Sequence, residues 1–276
     1  MLNQFRAGME RVAEAPFRSD TNRQRLRVAA VLTGDLSELH VVRAAFSIAS
    51  VLETDVCISW VGPENVGRTL TRDLVGAERF EELDLTGLLS LLVAGRIQTT
   101  VVPAALWRHI AHTLWPMLSR SSLLVCRRGM ILPSSILVCA DNDATERALI
   151  SRVSSAVPRG TVRLSVLRAI PPPPSWAFGL AAMYGLLWVP AEDEIPATRG
   201  DDSGDAKLIT AHEPTADAIH NAWQRLSPDL VLLGFHRHGL PLPASWLHPT
   251  AWRLSNQLTS DVLLVPVEAG SSLAES

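Results

Sequence analysis

The chain repeats itself at a spacing of about 108 residues, and that repeat limits the possible folds more than any other feature. Val101-Val102 lines up with Ile209-Thr210, Trp107 with Thr215, Cys126 with Gly234, and Thr33 with Asp141. Both copies alternate apolar runs of strand length with stretches whose apolar residues recur every three or four positions. The same order of elements at one offset marks a duplicated unit.

The first copy opens at Arg27-Val28-Ala29-Ala30-Val31-Leu32. Asp35 and Ser37 are placed to cap a helix whose buried stripe is Leu39, Val42, Phe46 and Ala49. Val56 to Val61 reads as a second strand, 63–95 as one or two helices, and Ile97 to Val102 as a third strand. A helix through Trp107, Ile110 and Leu114 and a strand over Ser122 to Cys126 complete it. The chain then runs almost directly into Ser135, so the first sheet is expected to be one strand shorter than the second.

The second copy starts at Ser135-Ile136-Leu137-Val138-Cys139-Ala140-Asp141. Asp143 and Glu146 have the spacing of a capping box at the helix carrying Leu149, Val153 and Ala156. Strands follow at Val162 to Ile170, Lys207 to Ala211, Asp229 to Gly234 and Asp261 to Pro266. Helices run through Ile219, Trp223 and Leu226 and through Ala251, Leu254 and Leu258. Strands that are apolar throughout, alternating with amphipathic helices, predict α/β units: two folded halves, each a parallel sheet of four to five strands flanked by helices. Trp107, Trp115, Trp223 and Trp252 sit at helical spacings and read as core or interface anchors.

The predicted organisation is an N-terminal extension over 1–25, a first domain over 26–133, a second over 134–268 with an insertion at about 171–205, and a tail over 269–276. In the extension, Leu2, Phe5, Met9 and Val12 suggest a short amphipathic helix that packs on the body, on a partner or on a membrane surface. The insertion begins with Pro171 to Pro174, has an apolar centre from Trp176 to Val189 and ends near Asp201, Asp202 and Asp205. That centre is short for a membrane span, so no transmembrane segment is expected.

Composition narrows the function. Hydrophobic residues make up 47% of the chain and charged residues 19%, enough for packed cores. A net charge of −3 without a dense basic run argues against nucleic acid as a partner. Lys207 is the single lysine among 25 basic residues, which rules out a Gly-rich loop ending in Lys-Ser/Thr. Cys57, Cys126 and Cys139 each lie in a strand-like apolar run and form no CxxC pair, which suits packing in a reducing, cytoplasmic setting. No GxSxG elbow is present for a hydrolase.

Ligands of open parallel sheets sit beyond the carboxyl ends of the strands where the strand order reverses. In the second copy this brings the loop after Asp141 beside the loop after Gly234. Asp141 could accept hydrogen bonds from a base or ribose, or simply cap its helix. Gly234 and Gly239 could let the backbone approach a ligand, or Gly234 could merely end a strand. His236, His238 and His248 could approach a metal ion, but no Cys, Asp or Glu completes a set locally, and no metal is expected.

Over most of 134–267 the second copy resembles the universal stress protein family. The resemblance rests on Ile136 to Asp141 followed by a helix, on Asp229-Leu230-Val231-Leu232-Leu233-Gly234-Phe235-His236-Arg237-His238-Gly239, and on Arg253-Leu254 to Asp261-Val262-Leu263-Leu264-Val265-Pro266. The first copy looks like a degenerate version. The resemblance implies two Rossmann-like, adenine nucleotide alpha hydrolase-like units and dimerisation through the last strand.

For the members that bind a nucleotide, it implies ATP or AMP as ligand. Their Gly-two-Gly-nine-Gly pattern followed by Ser or Thr maps onto Gly234, with Arg237 at the second glycine and Gly239 close by. His248 stands at the third glycine and Pro249 at the hydroxyl position, with Thr250 beside it. The candidate binding residues are therefore Ala140, Asp141, Gly234, His236, Arg237, Gly239 and Thr250. Pro241, Pro243 and Pro249 remove N–H donors from the loop that should hold phosphates. In the first copy Thr33 replaces the aspartate, Cys126 replaces the glycine, and the phosphate loop is missing.

The expected function is a non-catalytic regulatory protein of stress-response or signalling type, acting through a protein partner or self-association and an adenine nucleotide in the second domain. The alternative is a scaffold or hydrophobic-ligand module that uses the 171–205 arm. An ATP-consuming enzyme is the least supported reading, because the first-strand loops Thr33-Gly34-Asp35 and Asp141-Asn142-Asp143 lack a pyrophosphate-loop pattern.

Overall fold

The computed structural model describes residues 26–63, 66–76, 80–114, 117–118, 120–129, 133–140, 142–156, 162–169, 206–236 and 249–267. The helix expected in 1–25, the arm at 171–205, Trp115 and the tail lie outside them.

The continuous apolar runs at 28–32, 122–126 and 136–140 become strands buried on both faces. The first half supplies β1 (Arg27–Leu32), β2 (Asp55–Trp60), β3 (Glu81–Leu83), β4 (Ile97–Pro103) and β5 (Ser122–Cys126). The second supplies β6 (Ser135–Ala140), β7 (Arg163–Ala169), β8 (Lys207–Ala211), β9 (Leu230–His236) and β10 (Asp261–Val267). Between them lie α1 (Leu39–Leu52), α2 (Val66–Val75), α3 (Leu85–Val93) and α4 (Ala104–Leu114) in the first half. The second half has α5 (Asp143–Ala156), α6 (Thr215–Leu226) and α7 (Pro249–Gln257). Among the described residues no helix is long and apolar enough to cross a membrane.

All ten strands join one sheet, in the order β3-β2-β1-β4-β5-β10-β9-β6-β7-β8. Read outward from the centre, each half follows the same path. Neighbours within each half are parallel, and only β5 and β10 run antiparallel. The expected α/β architecture of helix-flanked parallel sheets is therefore present, but its two sheets are fused edge to edge rather than separate.

The fusion is symmetric. Leu263 pairs with Leu124, flanked by Val262 with Val125 and Leu264 with Leu123. Leu124 pairs with Val101 in its half, and Leu263 with Leu232 in the other. Equivalent leucines thus face each other on a local twofold axis. Two unpaired strand edges, each a site for unwanted association, cover one another.

Two expectations about the first half are corrected. It has five strands, because Glu81–Leu83 pairs with β2. This edge strand is three residues long and exposes both glutamates, so it carries no apolar signal. Charge fixes it in place: Arg27 Nη1 lies 2.9 Å from Glu81, Arg72 Nε 2.5 Å from Glu82, and Trp60 Nε1 donates to Glu82 at 3.0 Å. The constant offset also fails after β2 and β7. The 171–205 insertion separates β7 from β8, and the 237–248 segment separates β9 from α7, whereas β4 passes straight into α4 at Ala104. Ile97–Pro103 therefore occupies the place of Leu230–His236. Pro103 pairs with Cys126 as Gly234 pairs with Val265, so Pro103 is the counterpart of Gly234, and Cys126 that of Val265.

The core follows the pleat. Leu123 and Val125 point to one face, with Trp107, Leu233, Leu254, Val262 and Leu264, in a cluster that crosses the seam. The opposite face holds two clusters, one around Val28, Ala30 and Val41 and the other around Ile136, Val138 and Leu149. At the seam, fully buried Trp107 donates from Nε1 to Ser255 Oγ at 2.9 Å, linking α4 to α7. Buried Asp261 accepts the backbone N–H groups of Arg127 at 2.6 Å and Arg128 at 2.8 Å. The Arg127 guanidinium donates to the carbonyls of Ser260 and Ser255. Burial pushes Arg127 below the usual arginine range, and the Asp261 charge opposes that shift. Trp223 donates to Ser260 Oγ at 2.9 Å. Cys57, Cys126 and Cys139 are all buried free thiols.

Candidate ligand cavity at the strand ends of the second half

Leaving β6, the chain builds outward on one side through β7 and β8 and returns to the other side through β9 and β10. The reversal opens a crevice at the carboxyl ends of β6 and β9. A cavity of about 220 Å³ lies there. Cys139 and Ala140 from β6, Leu167 and Ala169 from β7, and Leu233 and Gly234 from β9 form its floor. Thr145 of α5, Thr215 and Ile219 of α6, and Thr250, Ala251 and Leu254 of α7 complete the described lining.

Three of the sequence-predicted site residues, Ala140, Gly234 and Thr250, meet at this cavity. His236 ends β9 opposite Val267, and its side chain lies outside the described residues. Asp141, Arg237 and Gly239 lie outside them altogether, as do His238 and His248. Among the described residues no group of three or more His, Cys, Asp or Glu comes together in a metal-binding arrangement.

Sequence reasoning missed Thr145, Thr215, Cys139, Leu167, Ala169 and the apolar residues of α6 and α7. A comparison of the copies in their true register would have pointed to some of them. Ala140 corresponds to Leu32, Ala169 to Val61 and Gly234 to Pro103. Small residues end the strands of the second half where larger, buried ones end those of the first.

Gly234 has a packing explanation. A Cβ added to it would lie 2.7 Å from Thr145 Cγ2 and 3.0 Å from Val267 Cγ2. The glycine lets the first turn of α5 press onto β9, so the space its missing side chain leaves is filled, while its backbone lines the cavity. Gly234→Ala is therefore expected to cost about 1–3 kcal/mol through overpacking. Thr145→Ser removes the nearest clashing methyl and should recover part of that loss in a double-mutant cycle read by urea unfolding. Wild-type stability in Gly234→Ala would refute the packing explanation.

The start of α5 also differs from its sequence reading. Its cap is Asn142, whose Oδ1 accepts the Thr145 N–H at 2.9 Å. Asp143 and Glu146 do not form the expected capping box, because the helix begins at Asp143 and Glu146 falls one residue too late to reciprocate. Both carboxylates lie 2.6 Å from Arg168 Nη2. The Glu146 hydrogen bond, against a smaller opposing effect of burial, holds Arg168 above its usual range. Burial likewise pushes the Cys139 thiol well above the cysteine range, leaving it a packing group rather than a nucleophile.

The first half uses the equivalent glutamate differently. Glu38 is buried and turns back into the loop after β1. It accepts the Thr33 N–H at 2.7 Å, the Thr33 hydroxyl at 2.8 Å and the Gly34 N–H at 3.1 Å. The chain's own carboxylate thus satisfies the donors of the loop at this strand end. Trp60 stands where the second half has Arg168, so Glu38 has no such arginine to draw it away.

No protein-family model matches the chain, and no curated protein matches it. Solved structures do. A functionally unknown protein, PA1789, from Pseudomonas aeruginosa PAO1 is 18% identical, with a TM-score of 0.59 over 88% of this chain and 93% of the other. A putative universal stress protein from Pseudomonas aeruginosa UCBPP-PA14 is 20% identical, with a TM-score of 0.57 over 88% and 94%. A universal stress protein from Archaeoglobus fulgidus DSM 4304 is 11% identical, with a TM-score of 0.52 over 87% and 98%. The chain shares the α/β fold of universal stress protein structures, and the likeness extends over both halves of the sheet.

Proposed function

We propose that this chain is a tandem regulatory protein of the universal stress type, non-catalytic and cytoplasmic, whose second half senses a small ligand and whose output is a partner or self-association. The carrying observation is the cavity at the strand-order reversal of the second half, where Ala140, Gly234 and Thr250 converge. Its place is the usual one for ligands of such sheets. The Glu38 carboxylate occupies the equivalent loop of the first half, which supports a division of labour: one half binds and the other is structural.

An adenine nucleotide, ATP or AMP, is the first ligand to test, on the resemblance in the strand-end residues. A non-catalytic role is supported by the cavity chemistry. Among the described residues the cavity is lined by apolar groups, three threonines, a glycine and a buried thiol pushed to high pKa, with no general acid or base. Isothermal titration of the purified protein with AMP and ATP should show saturable binding without product release. Multiple-turnover nucleotide consumption would overturn the non-catalytic reading, and silence towards every small ligand would overturn the sensing role.

A further inference from the structure

We infer that the first half is a positioning element for the second-half cavity: Trp107, Arg108 and Arg127 hold the C-terminal turn of α7 and so set where Thr250, Ala251 and Leu254 stand. This rests on the ligand-sensing reading above and gives the structural half its part in it.

The two ends of α7 have different neighbours. Thr250 and Ala251 stand four and three residues before Leu254, on one helix face, and that face lines the cavity. Ser255, the next residue, is fully buried and accepts Trp107 Nε1 at 2.9 Å. Arg127 Nη2 donates to the Ser255 carbonyl, and Arg108 Nη2 donates to the Asn256 carbonyl at 3.3 Å. The last carbonyls of a helix have no partner within it, and cationic side chains there also complement the helix dipole. The indole and both guanidinium groups belong to the first half, so α7 is completed by groups from outside its own half.

Packing makes the same link. Leu233, Ala251 and Leu254 line the cavity and belong, with Trp107, to a core cluster drawn from both halves. α7 is nine residues long, below the roughly 12–15 that sustain a helix in water unaided, so its place is set by what it packs against. The cavity floor on β6 and β7 is pinned by its strand pairing. A close-packed interior passes a displaced side chain on to its neighbours. Loosening the turn at Ser255 therefore moves the wall at Leu254, one residue away, before it disturbs the floor.

Cys139 reports on the cavity without any ligand, because its buried thiol is part of the lining. The experiment is maleimide labelling of the folded full chain, with mass spectrometry following Cys57, Cys126 and Cys139 separately. Trp107→Phe and Ser255→Ala each remove one side of the indole–hydroxyl bond. Each should speed labelling of Cys139 by about tenfold, the effect of one buried hydrogen bond on local opening. Cys57 and Cys126 should stay within about twofold of wild type, and the double variant should be no faster than the faster single. Val41→Ala, in the cluster on the opposite face that contains Cys126, should leave Cys139 at the wild-type rate. AMP affinity should fall by about tenfold in the two single variants. An unchanged Cys139 rate overturns the inference, as does equal acceleration of all three thiols, which marks a loss of global stability alone. If AMP binds the wild type and both variants equally, the inference falls and the sensing reading stands. If AMP fails to bind the wild type while Cys139 labelling is selectively accelerated, the positioning of the cavity stands and the nucleotide reading falls.

Discussion

Trp107→Ala should lower unfolding stability by about 3–5 kcal/mol, the range for truncating a fully buried aromatic side chain. Trp107 has no exposed surface and ranks among the largest buried side chains of the chain. Its indole lies in α4 of the first half and its Nε1 donates to Ser255 of α7 in the second. Truncation leaves a void in the cluster whose buried residues come from both halves and removes the indole donor from the Ser255 hydroxyl. Trp107→Phe keeps most of the volume and should cost less than Trp107→Ala. Because the cluster is shared, urea unfolding should remain a single transition with a lowered midpoint. A loss below about 1 kcal/mol, or one half unfolding alone, would show that the halves do not depend on each other through this face.

Asp261→Ala should cost about 3–5 kcal/mol, as expected for removing one partner of a buried, hydrogen-bonded charge arrangement. The carboxylate is 5% exposed and accepts two backbone N–H groups at the end of β5, from Arg127 and Arg128. Without it, both donors lose their acceptor and the partly buried Arg127 guanidinium loses the charge that balances it. Asp261→Asn retains an acceptor oxygen and should fall between the two. The measurement is again the urea midpoint, with far-UV dichroism confirming that the variants fold. Near-wild-type stability in Asp261→Ala would mean that water replaces the carboxylate and that the seam is open to solvent.

The fold is legible where burial writes itself into residue type. β1, β5, β6, β9 and β10 are largely apolar runs, and their alternation with amphipathic helices identifies parallel sheets from the residues alone. Glu81–Leu83 is not legible, because a short edge strand is specified by ion pairs and pairing geometry rather than hydropathy. Missing it shifts the alignment of the copies and gives Gly234 the wrong counterpart. The edge-to-edge fusion is also hidden: Leu123, Leu124 and Val125 show only that β5 is buried, not which strand covers it. At the site, Ala140, Gly234 and Thr250 are found from a motif-like pattern. Thr145, Thr215 and Ala169 are not, because helix-borne and small residues come to line a cavity only through tertiary placement. Glu38 and Glu146 occupy equivalent positions, yet one closes a loop and the other pairs with Arg168. That difference depends on a neighbour across the sheet, Trp60 or Arg168, which local reading does not supply.

The most direct test of the central claim, that binding belongs to the second half and the first half is closed, is the number of AMP molecules bound per chain at saturation, measured by equilibrium dialysis on wild type and on Ala169→Phe. One molecule per chain, lost when the introduced aromatic ring fills the cavity of a variant that still folds, is the predicted result. Two per chain, or one that persists in Ala169→Phe, would contradict it.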